Sequence, residues 1–190
     1  MASEVDLLLR AYRGQIAVPW QSGLSGSERV WFLVYRPDSE RRVMFRIEDF
    51  ETATREAGHG WVPIDLAARF AGWLKQDAQS YYLAGYLADP TQVPLDLFVA
   101  DLIEELAPEV AAAGPNDVVV LLSTISLFGV AKLSELIRGL NGARGLDAHV
   151  KGRLLVLFPG ARENNTYRFL EAGDGWNYMA IPITASSATN

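Results

Sequence analysis

The sequence predicts a single α/β domain with a mostly parallel central sheet flanked by helices, in a Rossmann-like or P-loop-like arrangement. Three observations carry that expectation. Residues 30–35, 118–122 and 154–158 are continuous apolar runs of strand length, the pattern of strands covered on both faces. Between them, apolar residues recur at helical spacing, as in Leu95, Phe98, Leu102 and Leu106 or in Val130, Leu133, Ile137 and Leu140. Glycine and proline punctuate the alternation, with Gly58 and Gly114-Pro115 closing helical stretches just before strands begin.

The elements follow in order. Ser3 is the expected N-cap of a short helix over 3–14, with Val5, Leu8, Leu9 and Tyr12 on its apolar side and Gly14 as its stop. The Gly/Ser-rich loop at 22–27 feeds the first core strand, 30–35. Val43, Ile47, Phe50, Thr54 and Ala57 space one helix that ends at Gly58. Residues 61–64 read as a second strand, and Pro63, having no N–H, places it at an edge or a strand end. Asp65 is then the N-cap of a helix over 66–74. Residues 80–110 read as two helices, and 118–122, the most hydrophobic run, as the central strand. Gly139, Gly142 and Gly145 mark a mobile connection to the fourth strand at 154–158. A shorter strand at 167–170 and a last one at 179–183 lie on either side of the Asp174-Gly175 turn, and 185–190 form a disordered tail.

A chain of 190 residues with 49% hydrophobic and 21% charged residues can bury one sizeable core. Its net charge of −6 disfavours direct nucleic-acid binding, which draws on Lys and Arg displacing phosphate counterions. A stripe of Arg41, Arg42, Arg46 and Arg55 would be the exception, but Glu40, Glu48, Glu51 and Glu56 interleave it into a mixed face. Without cysteine there is no disulfide scaffold, thiolate zinc site or cysteine nucleophile. The first 14 residues lack the apolar core of a signal peptide, and no run approaches the roughly 20 residues of a membrane helix. A cytoplasmic location without membrane contact is the expectation.

The search for chemistry returns mostly absences. There is no Gly-rich turn ending in Gly-Lys-Ser/Thr and no Gly-x-Gly-x-x-Gly, and Lys132, followed by Leu133, reads as a solvated helix residue. Gly23 to Ser27 falls short of a nucleophile elbow and precedes a strand where the elbow follows one. His59 and His149, the two imidazoles, lie too far apart in sequence for one helix to offer both to zinc. No catalytic residue, metal or cofactor is assigned. A partner or ligand surface has nine candidates. His59 lies between two glycines, and Asp65, Ser123 and Ser126 follow strands. Arg162, Asn164 and Asn165 follow the fourth strand and are expected at the same sheet edge as the serines, while Trp20 and Tyr81 are aromatic anchors left for a partner.

Several blocks in combination resemble the BrxB family of the BREX anti-phage systems of bacteria and archaea. They are residues 29–37 (Arg-Val-Trp-Phe-Leu-Val-Tyr-Arg-Pro), 54–61 (Thr-Arg-Glu-Ala-Gly-His-Gly-Trp), 158–160 (Phe-Pro-Gly) and 174–178 (Asp-Gly-Trp-Asn-Tyr). The resemblance runs from about Arg29 to Ile183. It implies a small cytoplasmic accessory protein working beside a methyltransferase, a large ATPase and the phosphatase-like partner PglZ in host-DNA marking and phage restriction. It supplies no catalytic residues. The leading expectation is a non-enzymatic adaptor that binds a PglZ-like partner; the alternative is a diverged nucleotide-binding or hydrolytic domain built on Asp65 and residues 123–129.

Overall fold

The computed structural model describes residues 2–21, 23–24, 26–76, 88–89, 94–142, 150–170 and 176–189. The fold is α/β with a mostly parallel sheet, as the apolar runs predict. Strands β1 (Val30–Tyr35), β2 (Gly60–Asp65), β3 (Asp117–Leu122), β4 (Arg153–Glu163) and β7 (Ile181–Ile183) run parallel in the order β2-β3-β4-β1-β7. The outer end of β4 turns into an antiparallel extension with β5 (Thr166–Phe169) and β6 (Trp176–Asn177). Six helices are described: α1 (Glu4–Ile16), α2 (Glu40–Phe45), α3 (Ile47–Glu56), α4 (Arg69–Leu74), α5 (Leu95–Ala112) and α6 (Leu133–Leu140).

Alternation along each strand divides the core into two layers. Val30, Phe32 and Val34 of β1 join Val119 and Leu121 of β3 beneath α4, α5 and α6. Trp31, Leu33 and Tyr35 face the other way, with Val118, Val120, Leu155 and Leu157, beneath α1 and α3. A fully buried Val or Leu contributes about 1.5–3 kcal/mol relative to exposure, so the apolar runs themselves drive the sheet inside.

The structure amends several expectations. Helix α1 passes through Gly14 to Ile16, because Leu8, Tyr12 and Ile16 continue one buried stripe that outweighs the propensity cost of a single exposed glycine. Its start matches: Ser3 and Asp6 form a reciprocal capping box. The single helix expected before Gly58 is two, broken at Arg46 (φ −104°, ψ 15°), which preserves the apolar spacing while re-aiming the first turn. The expected stop at Gly58 holds, since its φ of +86° and the bonds His59 N–H to Thr54 C=O and Gly58 N–H to Arg55 C=O form a Schellman cap. Asp65 caps no helix; it ends β2, and α4 starts four residues later behind Ala68.

The central strand is β4 and not β3. Both are apolar on each face, so hydrophobicity does not rank them, and β4 is the middle of the five parallel strands, with β3 and β2 on one side and β1 and β7 on the other. The last strand does not fold back on β5 but crosses to β1, and residues 176–177 take the place beside β5. Both outermost parallel strands carry a proline, Pro63 in β2 and Pro182 in β7, as befits strands with one unpaired side. The expected disordered tail is a 3-10 turn, Ala185–Thr189, whose Ala185 and Ala188 pack against the α1 layer. The first of the two helices expected in 80–110 falls largely outside the described residues.

Asp117 is where strands converge most tightly. A Cβ on Gly152 would sit 2.0 Å from the Asp117 carbonyl oxygen, whereas a Cβ on Gly14 meets open space. Gly152→Ala is therefore expected to cost about 1–3 kcal/mol, and Gly14→Ala to gain about 0.5–1 kcal/mol, in urea unfolding. A neutral Gly152→Ala would contradict the close approach of the two strands.

Candidate functional site

The candidate residues sort onto opposite ends of the parallel sheet. Asp65, Ser123 and Ser126 do meet at the carboxyl end, since Asp65 is in register with Leu122 and the Ser126 hydroxyl donates to the Leu66 carbonyl at 2.9 Å. Their polar atoms are spent on the loops. Asp65 Oδ1 accepts from the Ala67 amide at 3.0 Å, and the buried Thr124 hydroxyl donates to the Leu157 carbonyl of β4. Ser123 adopts a left-handed backbone, φ 54°, to start this turn. The amides of Ser126, Phe128, Val130 and Ala131 all bond to carbonyls within the same loop, so these four N–H groups serve loop closure.

Arg162, Asn164 and Asn165 also follow the carboxyl end of a parallel strand, β4, but further out. They sit on the β4–β5 hairpin, and Arg162 lies three residues beyond Pro159, the last β4 residue in register with β1, about 10 Å further out along an extended strand. Asn164, at φ 56°, makes the turn, and Arg162 bonds Asn165 at 3.5 Å and lies over the Tyr167 ring at 5.8 Å. Tyr81 lies outside the described residues.

Trp20 and His59, unrelated in sequence, are stacked at the amino end with centroids 3.8 Å apart and planes 4° apart. His59 Nδ1 is 2.7 Å from Asn116 Oδ1, and Asn116 Nδ2 donates to the Gly58 carbonyl, so this histidine ties the turns before β2 and β3 together. Trp20 is half-buried and meets Trp31 edge-on at 6.0 Å. It is a packed residue and not the free anchor that its place beside Pro19 suggests.

One open surface feature is not among the nine candidates. A groove of about 840 Å³ runs between the start of α1 (Ser3, Val5) and the segment that follows β1 (Asp38, Arg41, Arg42, Phe45, Arg46). Phe45 is 86% exposed, the most exposed large hydrophobic side chain among the described residues. Arg41 and Arg42 form no ion pair with a carboxylate of the described residues, while Arg46 pairs with Asp49 and Asp6. The Ser3 hydroxyl and amide, followed by Arg46, hold the Asp6 carboxyl below its ordinary value. The signal was in the sequence. Phe45 is out of phase with the Val43, Ile47 and Phe50 spacing, and it stands among arginines.

The segment bearing Phe45 is anchored from below. The Ser39 hydroxyl donates to Glu4 of α1, Arg36 pairs with Glu4 at 3.5 Å, and the buried Tyr35 hydroxyl donates to Glu40 at 2.5 Å. Among the described residues, no group of three or more His, Cys, Asp or Glu side chains could hold a metal ion, and no helix is long and apolar enough to cross a membrane. In comparisons with known proteins, no family model, no curated protein and no solved structure matches this chain.

Burial raises the Glu40 carboxyl above the ordinary glutamate value, against the opposing pull of the Tyr35 hydrogen bond. The native state thus holds this proton more tightly than the unfolded chain does. Its contribution is full below the ordinary glutamate value and is lost as pH rises through the raised one. Glu40→Gln is expected to flatten the fall in stability as pH rises through and above the ordinary glutamate value, read from urea midpoints at stepped pH. Wild-type and variant curves that run parallel across that window would show that Glu40 is not held this way.

Proposed function

We propose that this chain is a non-enzymatic accessory subunit that docks a protein partner, in keeping with its resemblance to the BrxB family of BREX phage-defence systems. The partner this reading names is the PglZ-like protein of the same system, and the place of action is the cytoplasm. The observation that carries the docking role is the groove beside Phe45. An 86% exposed phenylalanine flanked by Arg41 and Arg42, neither paired with a described carboxylate, has the composition of an interface centre, where aromatic residues and arginine are enriched. Burying that ring against a partner would contribute about 1.5–3 kcal/mol, and the two guanidinium groups would orient an acidic rim. The groove lies between the N-terminal helix and the 3-10 turn and helix α2 that follow β1, which hydrogen bonds and an ion pair tie to α1 and β1, so a partner would meet a preformed surface.

The test is co-expression with a PglZ-like protein of a BREX system, followed by co-purification and size-exclusion chromatography with light scattering. A stoichiometric complex is expected. Phe45→Ala should weaken it at least tenfold, about 1.4 kcal/mol, and Arg41→Glu with Arg42→Glu should do so more strongly at low salt. No complex with the wild-type chain would overturn the adaptor reading. An undiminished complex with both variants would move the interface off this groove.

A further inference from the structure

The amino-terminal end of the sheet gathers three basic side chains, none of them in an ion pair with a described carboxylate, although Asp117 opens β3 and Glu28 lines an adjoining hollow with Arg153 at the same end. Arg29 leads into β1, and Lys151 and Arg153 lead into β4. Together with Trp20 and Asn116 they line a hollow of about 440 Å³ whose described walls contain no acidic residue. Each cation is held by backbone carbonyls: Arg29 donates to Val150 at 2.9 Å, Lys151 to Ala111 at 2.6 Å, and Arg153 to Gly152 at 3.1 Å. Those bonds fix the side chains in place without neutralising them. None of the three forms an ion pair with a described carboxylate, in a chain whose net charge is −6.

Arg153 makes the arrangement costly. It is only 5% exposed, and its guanidinium lies 4.5 Å from the Trp20 ring and 5.9 Å from the Trp31 ring. Burial first, and then the neighbouring Arg29 charge, lower its pKa, so the cation is held against both desolvation and like-charge repulsion. Contact with aromatic faces is worth about 0.5–2 kcal/mol, less than the several kcal/mol that burying an unpaired ion costs. An anion entering the hollow would relieve that imbalance.

We propose that this hollow binds a small phosphate-bearing ligand, with its dianionic group held among Arg29, Lys151 and Arg153. Two guanidinium forks and an ammonium match the charge and the several acceptor oxygens of a phosphate monoester, and guanidinium binds such a group through paired N–H donors. The volume falls within the roughly 300–1,000 Å³ of small-ligand sites. This site is separate from the Phe45 groove. Arg29, Asn116 and Lys151 precede their strands, whereas Asp38 to Arg46 follow β1, so the two features lie at opposite ends of the parallel sheet.

The experiment titrates the full chain with inorganic phosphate and, in parallel, with a nucleoside 5′-monophosphate, at ionic strength held constant with chloride. Tryptophan emission and melting temperature are the readouts. A saturable change in emission with a rise in melting temperature is expected, weakened at least tenfold in Lys151→Met and in Arg29→Met. Both substitutions leave the buried Arg153 in place, so folding does not confuse the outcome, and circular dichroism confirms it. Tighter binding of the monophosphate would assign a nucleotide ligand, and equal binding would assign the free ion. A response no larger than that to chloride, or one unchanged in both variants, would overturn the proposal. Phe45→Ala should leave the response intact, so failure here and failure of partner docking remain distinguishable.

Discussion

Strand β4 is paired on both sides and covered on both faces, and the placement of almost every other element depends on that enclosure. From Arg153 to Phe158 it is at most 5% exposed, with β3 along one side and β1 along the other. A strand so enclosed sends alternate side chains into two separate layers, and each layer needs its own helices. Leu154, Val156 and Phe158 call for the α4, α5 and α6 cover; Leu155 and Leu157 call for α1 and α3. The N-terminal helix is therefore part of the core, with Tyr12 bonded to Thr54 of α3 at 2.6 Å inside it. The C-terminal 3-10 turn in turn packs against the α1 layer.

A parallel sheet aligned on β4 has two chemically distinct ends. At the carboxyl end, where open α/β sheets place their ligands, Thr124 and Ser126 close their own loops by bonding carbonyls of β4 and of the turn after β2. At that end too are an exposed aromatic ring and, beside α1, two guanidinium groups, Arg41 and Arg42, that pair with no described carboxylate. At the amino end, the chain gathers three cations against the Trp20–His59 stack. In the proposed reading a protein partner docks on the first surface and a small anion enters the second, so the two proposals lie at opposite ends of one sheet.

The fold was legible because it rests on period and run length. The six apolar strand stretches all appear, and the glycine stop at Gly58 is a cap of the expected kind. Strand order was not legible, since β3 and β4 are equally apolar and neighbour choice depends on crossovers that pattern does not encode. The site was read less well, for one physical reason. Strand-end polar residues serve loop closure as readily as ligand binding, and Asp65, Thr124 and Ser126 are used that way. Trp20 stacks on His59 across 39 residues of chain, a contact no spacing announces. Arg153 sits between Gly152 and Leu154, where a strand beginning hides its burial. Phe45 alone left a trace, as the apolar residue out of phase with its helix.

Amide hydrogen exchange on the chain alone and in the presence of a PglZ-like protein, the proposed partner, tests the docking account most directly. The account predicts slowed exchange concentrated in residues 2–8 and 36–46, which form and brace the Phe45 groove, with the amino end of the sheet unchanged. Exchange rates identical with and without that protein, or protection that falls elsewhere and spares both segments, would contradict it.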